Sequence, residues 1–293
     1  QPGEVVIDHS SKTAYLWPHS RDATAYEATV ATSLLTVVGA ANITFEGLSF
    51  RGARGAAIVV VDSSDIVVSN GAITDCGMSA FNVTGGARCG LQHVEVARAG
   101  TGGAVLEGGD RQTLTKSGHF VRDSHLHHSN RWLMNYAPLV LMAGVGQQVE
   151  RSVLSDAPQT AVFVQGNSHH VINSTIRDVV QQCNDCGSFY FGRDWTYRGM
   201  RIQGCNFSLA GPMWDMSWGA NAVYADDFGS SVSILDNDFW LGEKMPLVFE
   251  SNQGRDHEMI GNTLRPLPPF TSKGNSPRAN VGNAGCGGAD IGY

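Results

Sequence analysis

The sequence predicts an all-β protein, a parallel β-helix of about nine or ten coils preceded by an N-terminal β-hairpin. Three observations carry this. A phrase of the form x-φ-x-x-(Asn/Ser/Gly)-x-φ, with φ apolar, recurs along the chain and ends at Phe50, Ile73, Val96, Leu126, Leu154, Ile176, Phe207, Phe239 and Leu264, at spacings of 22 to 32 residues. Such spacing is too variable for a helical solenoid but natural for coils with loops inserted at their corners. The phrases are short and β-branched, as in Ile66-Val67-Val68 and Val171-Ile172, and turn residues interrupt them, so strands are expected and helices are not. Ser124, Ser152, Ser174, Asn237 and Asn262 each stand two residues before the closing apolar residue. In stacked coils they would form one column, whose side chains satisfy the backbone at a bend.

Taken in order, residues 1–30 read as an N-terminal hairpin or cap, 31–265 as the β-helix and 266–293 as an irregular tail. The segment Glu4 to Trp17 alternates around the polar turn Asp8-His9-Ser10-Ser11-Lys12, and Pro266-Leu267-Pro268-Pro269 stops the repeat. No Pro/Ser linker or charge run divides the coils, so one elongated domain is expected. The chain has 293 residues, 42% of them hydrophobic and 16% charged, with 35 glycines, which suits a long narrow core. No run of about 20 apolar residues is present to span a membrane, and no signal peptide stands at the start. The net charge of −7 without a Lys/Arg cluster argues against nucleic acid and favours a neutral sugar as partner.

Six cysteines and the sequons at Asn42, Asn82, Asn173 and Asn206 suggest a secreted glycoprotein. Cys76 and Cys89 flank one coil and are placed to bridge it. Cys183-x-x-Cys186 lacks the partner pair of a zinc site, so a disulfide or buried thiols are expected there, with no metal. His125 and His127 would share one strand face, with no carboxylate spaced to complete a metal site.

Polar and acidic residues cluster between Asp156 and Asp256. Aligning Val162-Phe163, Phe189-Tyr190, Val223-Tyr224 and Val248-Phe249 sets four strands side by side, each ending in polar groups. Carboxylates in one column of adjacent coils, about 4.8 Å apart, would sit near the separation that glycosidases use. The candidates are Asp185, Asp194, Asp226 and Asp227. The last three fall at one corner, whereas a straight strand would leave Asp185 roughly 23 Å from Asp226, so a bend at Cys186-Gly187 is required. Arg193 and Trp195 suit a sugar site, the first as a donor and the second as a stacking surface.

The string Cys183-Asn184-Asp185-Cys186-Gly187 through Arg193-Asp194-Trp195-Thr196-Tyr197-Arg198-Gly199, followed by Val223-Tyr224-Ala225-Asp226-Asp227-Phe228-Gly229-Ser230, resembles glycoside hydrolase family 141. Ser155 to Pro158, Gly166 to His169 and Gly254 to Asp256 extend the resemblance over most of residues 1 to 265. It implies a right-handed, pectin-lyase-like solenoid with α-L-fucosidase or xylanase activity, catalytic aspartates at Asp185 and Asp226, and no cofactor. Arg193, Asp194, Trp195, His169, Asp227 and Arg255 would contact the poly- or oligosaccharide. Ser168 stands where relatives have an acid, Ala225 replaces a larger apolar residue, and Cys186 takes a small-residue position. A hydrolase would protonate the glycosidic oxygen with one aspartic acid while the other activates water or attacks the anomeric carbon. A polysaccharide lyase, with His169, His170, Arg193 and Asp226 as its groups, and a non-catalytic extracellular scaffold or glycan-binding protein are the alternatives.

Overall fold

The structure is a computed structural model that describes residues 4–18, 20, 22, 25–208, 210–211, 220–242, 247–266 and 278–280. Two units are distinguished, residues 1–30 and 31–293. In the first, strands Val5–Asp8 and Thr13–Leu16 form the expected antiparallel hairpin, with Val5 opposite Leu16 and Asp8 opposite Thr13. The Asp8 carboxylate closes the turn by accepting the Ser10 amide at 2.9 Å and the Ser11 hydroxyl at 2.7 Å, an Asx-type turn of the kind short acids favour.

The second unit is a parallel solenoid built on two long sheets. The first sheet has ten strands, running from Leu35–Val38 through Val162–Asn167, Gly187–Gly192, Asn221–Asp226 and Leu247–Ser251 to Arg278–Asn280. Most coils contribute two short segments to the other sheet, as Phe120–Arg122 and His125–His127 do, while Ser64–Thr74 and Gly90–Ala97 run through as single strands. All nine apolar anchors read from the sequence lie in one register: Phe50 pairs with Ile73, Ile73 with Val96, Leu126 with Val96 and with Leu154, and so on through Ile176, Phe207 and Phe239 to Leu264. Strands such as Ile58–Val61 and Val232–Leu235 bury every second residue, because alternate side chains of a strand enter the core and the outer face. Phe207 and Phe239 are fully buried, and their rings stack at 5.0 Å between adjacent coils.

The polar ladder forms between the two segments of the second sheet. Ser124 Oγ accepts the Val94 amide at 3.0 Å, Ser152 Oγ the Ser124 amide at 3.2 Å, Ser174 Oγ the Ser152 amide at 3.2 Å, and Asn262 Oδ1 the Asn237 amide at 3.0 Å. Cys205 fills the position between Ser174 and Asn237, with its sulfur beside the Ser174 amide and its own amide donating to Asn237 Oδ1 at 2.8 Å. A second ladder runs at the corner between the two sheets. There His119 Nδ1 accepts the Cys89 amide, Gln147 Oε1 the His119 amide and His169 Nδ1 the Gln147 amide, at 3.2, 3.2 and 3.1 Å. Both ladders give buried backbone donors the partners they lose where the chain turns.

Cys76, Cys89 and Cys205 are buried free thiols, so the expected Cys76–Cys89 bridge is not formed. Cys89 instead sits in the second ladder, with its thiol donating to the Ser63 carbonyl. Cys183 and Cys186 are joined as a disulfide; Cys286 lies outside the described residues. Of the sequon residues, Asn42 and Asn173 are exposed, while Asn82 and Asn206 are half-buried. His125 and His127 share a face and stack at 4.1 Å. Glu95 stands opposite His125 in the sheet and approaches His127 Nε2 at 3.1 Å. Of the tail from 266 to 293, Pro266 and residues 278–280 are described, the latter as a strand beside Leu247–Ser251.

Candidate functional site: two aspartates bridged by Tyr224 and Asn252

The outer face of the first sheet carries the site. In register across three coils stand Phe163, Tyr190 and Tyr224, as the sequence alignment expects. The fourth strand is displaced by one residue from that alignment: Val223 pairs with Phe249 and Tyr224 with Glu250. Because side chains alternate, this single step decides which residue faces out. Phe249, 1% exposed, belongs to the core, and half-buried Glu250 joins the tyrosine column.

Asp226 ends the strand Asn221–Asp226 opposite Gly192. A Cβ at Gly192, where φ is +155°, would lie 1.9 Å from the Asp226 carbonyl oxygen, so only glycine permits this approach. The Asp226 carboxylate accepts the Tyr190 hydroxyl at 2.6 Å and Arg193 Nε at 3.2 Å on Oδ2, and the Asp227 amide at 2.9 Å and Asn252 Nδ2 at 3.4 Å on Oδ1. Burial alone would raise its pKa, but the hydrogen bonds from Tyr190, Asn252 and Arg193 outweigh burial and hold it below the usual carboxylate range. Tyr190 and Tyr224 are pushed well above the ordinary phenol value, first by burial and then by the negative charge of Asp226.

Asp185 reaches the same face through the required bend. It adopts a left-handed backbone with φ 60° inside the three-residue span closed by Cys183–Cys186, a conformation that short acidic residues tolerate. Its Oδ1 accepts the Tyr224 hydroxyl at 3.0 Å, and the Tyr224 oxygen accepts Asn252 Nδ2 at 2.8 Å. Three links of 3.0, 2.8 and 3.4 Å thus connect Asp185 to Asp226. The Oδ1 atoms of the two carboxylates are therefore no more than about 9 Å apart, an upper limit compatible with the separations of glycosidase acid pairs.

Asp185 lines a cavity of about 190 Å³ together with Tyr136, Gln159, Phe163 and the two side chains that bond Asp226, Tyr190 and Arg193. The rings of Tyr136, Phe163, Tyr190 and Tyr224 follow one another at 6.4, 5.3 and 5.6 Å, giving an aromatic strip along three coils and the 135–138 loop. Gln159 Nε2 donates to Asn135 Oδ1 at 3.2 Å and packs on the Cys183 sulfur at 3.3 Å, which ties the loop to the disulfide.

The other residues expected at the site divide. Asp227 contributes its amide to Asp226 and keeps its side chain exposed. Asp194 accepts the Thr196 amide and hydroxyl and lies 3.8 Å from Arg111, which also bonds Thr196 Oγ1 and Asn167 Oδ1. It therefore shapes the 193–198 loop. Trp195 is exposed on that loop, and Arg255 is exposed beside Asp256. His169 is not brought to the face; it is fully buried in the second ladder, and burial pushes its pKa down to about 3. Sequence reasoning missed Glu250, Asn221 and Asn252; the correct register of residues 247–251 would have found them.

Residues 33–122 match the family model described as Right handed beta helix region. The solenoid is a right-handed parallel β-helix. No curated protein matches the chain significantly. Among solved structures, the A-module of mannuronan C-5 epimerase AlgE6 from Azotobacter vinelandii is similar at 10% identity and a TM-score of 0.43, over 78% of this chain and 65% of that one. A protein titled Glycoside hydrolase is similar at 13% identity and a TM-score of 0.35, over 80% of this chain and 35% of that one. The AlgE4 A-module from the same organism gives 11% identity and a TM-score of 0.37, over 78% and 63%. The chain thus spans less than two thirds of each of these proteins. Among the described residues no helix is long and apolar enough to cross a membrane.

Proposed function

We propose that the protein is a secreted carbohydrate-active hydrolase that cleaves a glycosidic bond of a poly- or oligosaccharide, with Asp185 and Asp226 as its reacting carboxylates. The observation that carries this is the Tyr224–Asn252 bridge, which joins two carboxylates from different coils, Asp185 in the lining of a cavity walled by aromatic rings and Asp226 bonded to Tyr190 and Arg193 of that lining. Hydrolysis adds hydroxyl from water to the anomeric carbon and a proton to the leaving oxygen, through a transition state with positive charge on the sugar ring. Asp226, kept charged by its four donors, suits the activation of water or attack on the anomeric carbon. Asp185, on the far side of Tyr224, supplies a second carboxylate to that positive charge. Tyr136 and Phe163 offer flat apolar surfaces to sugar faces, and the exposed Arg193 guanidinium offers donors to hydroxyls. The resemblance of residues 183–199 and 223–230 to family 141 supports the same choice. The sequons and the disulfide support secretion.

Hydrolysis is preferred here to β-elimination, which needs a base for a carbon-bound proton: the preference is supported by the burial of His169 away from the face and by Tyr190 and Tyr224 holding their hydroxyl protons. The test is a panel of neutral and acidic polysaccharides with product analysis. A hydrolase releases reducing ends without ultraviolet absorbance, a lyase releases unsaturated, absorbing ends, and a scaffold releases neither; either of the last two results overturns the proposal.

A further inference from the structure

The hydrolytic reading leaves one requirement open, a proton for the leaving oxygen. Both aspartates already accept a tyrosine hydroxyl, Asp226 from Tyr190 and Asp185 from Tyr224. Each is therefore placed as an acceptor. Glu250 differs. It stands next to Tyr224 in the same outward column, one coil on, and is half-buried. Its Oε2 accepts Asn221 Nδ2 at 2.6 Å, and among the described residues its Oε1 accepts no hydrogen bond. One carboxyl oxygen is thus anchored and oriented while the other is left for a proton.

We propose that Glu250 is the proton donor of this site, a third catalytic carboxyl that protonates the glycosidic oxygen while Asp226 acts on water or the anomeric carbon. The proposal rests on the hydrolytic reading and deepens it. In the step, the Glu250 O–H bond breaks as the proton passes to the leaving oxygen, and the electron pair of the C–O bond departs with that oxygen. Glu250 becomes a carboxylate and regains a proton from solvent before the next turnover, or from the attacking water if a covalent intermediate forms. The groups that act on Glu250 agree with this role. Asp185 and Asp226 repel a charge there, Asn221 favours one, and Tyr224 beside it stays neutral. Burial, the largest influence, together with the two aspartates outweighs Asn221 and raises the Glu250 pKa. Opposite shifts at Asp226 and Glu250 divide the charged and protonated roles between two neighbouring coils.

The experiment compares wild type with Glu250→Gln on a polysaccharide cleaved by the wild type and on 2,4-dinitrophenyl glycosides of its sugar, whose leaving group needs no proton. The variant should lose about 100-fold or more in kcat/KM on the polysaccharide and no more than about tenfold on the activated glycosides, with the high-pH limb of its profile abolished. Equal losses on both substrates, or no loss on either, overturn the donor role and leave the hydrolase reading standing. Absence of any hydrolysis by the wild type overturns both. A second measurement needs no turnover: infrared titration of protonated carboxyl absorption. A band that titrates above the ordinary glutamate value and disappears in Glu250→Gln supports the assignment; its absence from the wild type overturns it.

Discussion

Three histidines make the solenoid sensitive to acid, and one substitution should remove a third of their effect. Burial pushes His119 down to about 4, His169 to about 3 and His257 to about 4, against an ordinary value of 6.5. The unfolded chain then binds more protons than the folded one between these limits. The stability contributed by the neutral rings is complete above pH 6.5 and falls as the pH drops toward the folded values. At about pH 4.5 each histidine costs about 2.5 kcal/mol relative to neutral pH, a large share of the roughly 5–15 kcal/mol typical of folded domains. Gln147 performs the same ladder task without titrating, since its Oε1 accepts the His119 amide at 3.2 Å. His169→Gln should therefore keep its stability at about pH 7.5 within about 1 kcal/mol of wild type and gain about 2.5 kcal/mol relative to it at about pH 4.5. Urea unfolding followed by circular dichroism at the two pH values reads both numbers. The difference between the two proteins isolates His169 from carboxylates such as Asp75, which also lose stability in acid. Equal acid losses in wild type and variant would refute the reasoning.

Other consequences are as specific. Tyr224→Phe removes the hydroxyl that joins Asp185 to Asn252; kcat on a cleaved polysaccharide should fall at least about tenfold with little change in melting temperature. Reduction with dithiothreitol, or the double variant Cys183→Ser/Cys186→Ser, releases the span that presents Asp185 and should lower turnover more than it raises KM. Cys76 and Cys205, with thiols pushed up to about 11 by burial, should remain unmodified by iodoacetamide in the folded protein. Asn237→Ala strips acceptors and donors from Cys205, Ile202 and Asn262 in the ladder and should cost about 1–3 kcal/mol per group left unpaired, read from urea unfolding.

The solenoid was legible because its signal is repeated: nine apolar anchors and a polar residue two places before most of them leave one way to stack. Where Cys205 interrupts that column, the coil still closes, since a thiol can stand beside the Ser174 amide as a hydroxyl does. The site was legible only in part. Phe163, Tyr190 and Tyr224 fell into line by simple alignment, but Val248-Phe249 offers the same apolar pair as Val223-Tyr224 and invites a register one residue out. That slip concealed Glu250, since neighbouring strand positions face opposite ways. Asp185 demanded a bend that spacing alone does not specify, and its placement depends on a left-handed residue inside a disulfide span. His169 misled because a ring nitrogen accepting a backbone amide and a ring nitrogen awaiting a ligand look alike in sequence.

The most direct test of the central claim is the release of reducing ends from a cleaved polysaccharide by wild type, Asp185→Asn and Asp226→Asn under identical conditions. Loss of at least about 100-fold in turnover in each variant, with unfolding curves unchanged, is the expected result; turnover retained by both would contradict the assignment of this face as a catalytic site.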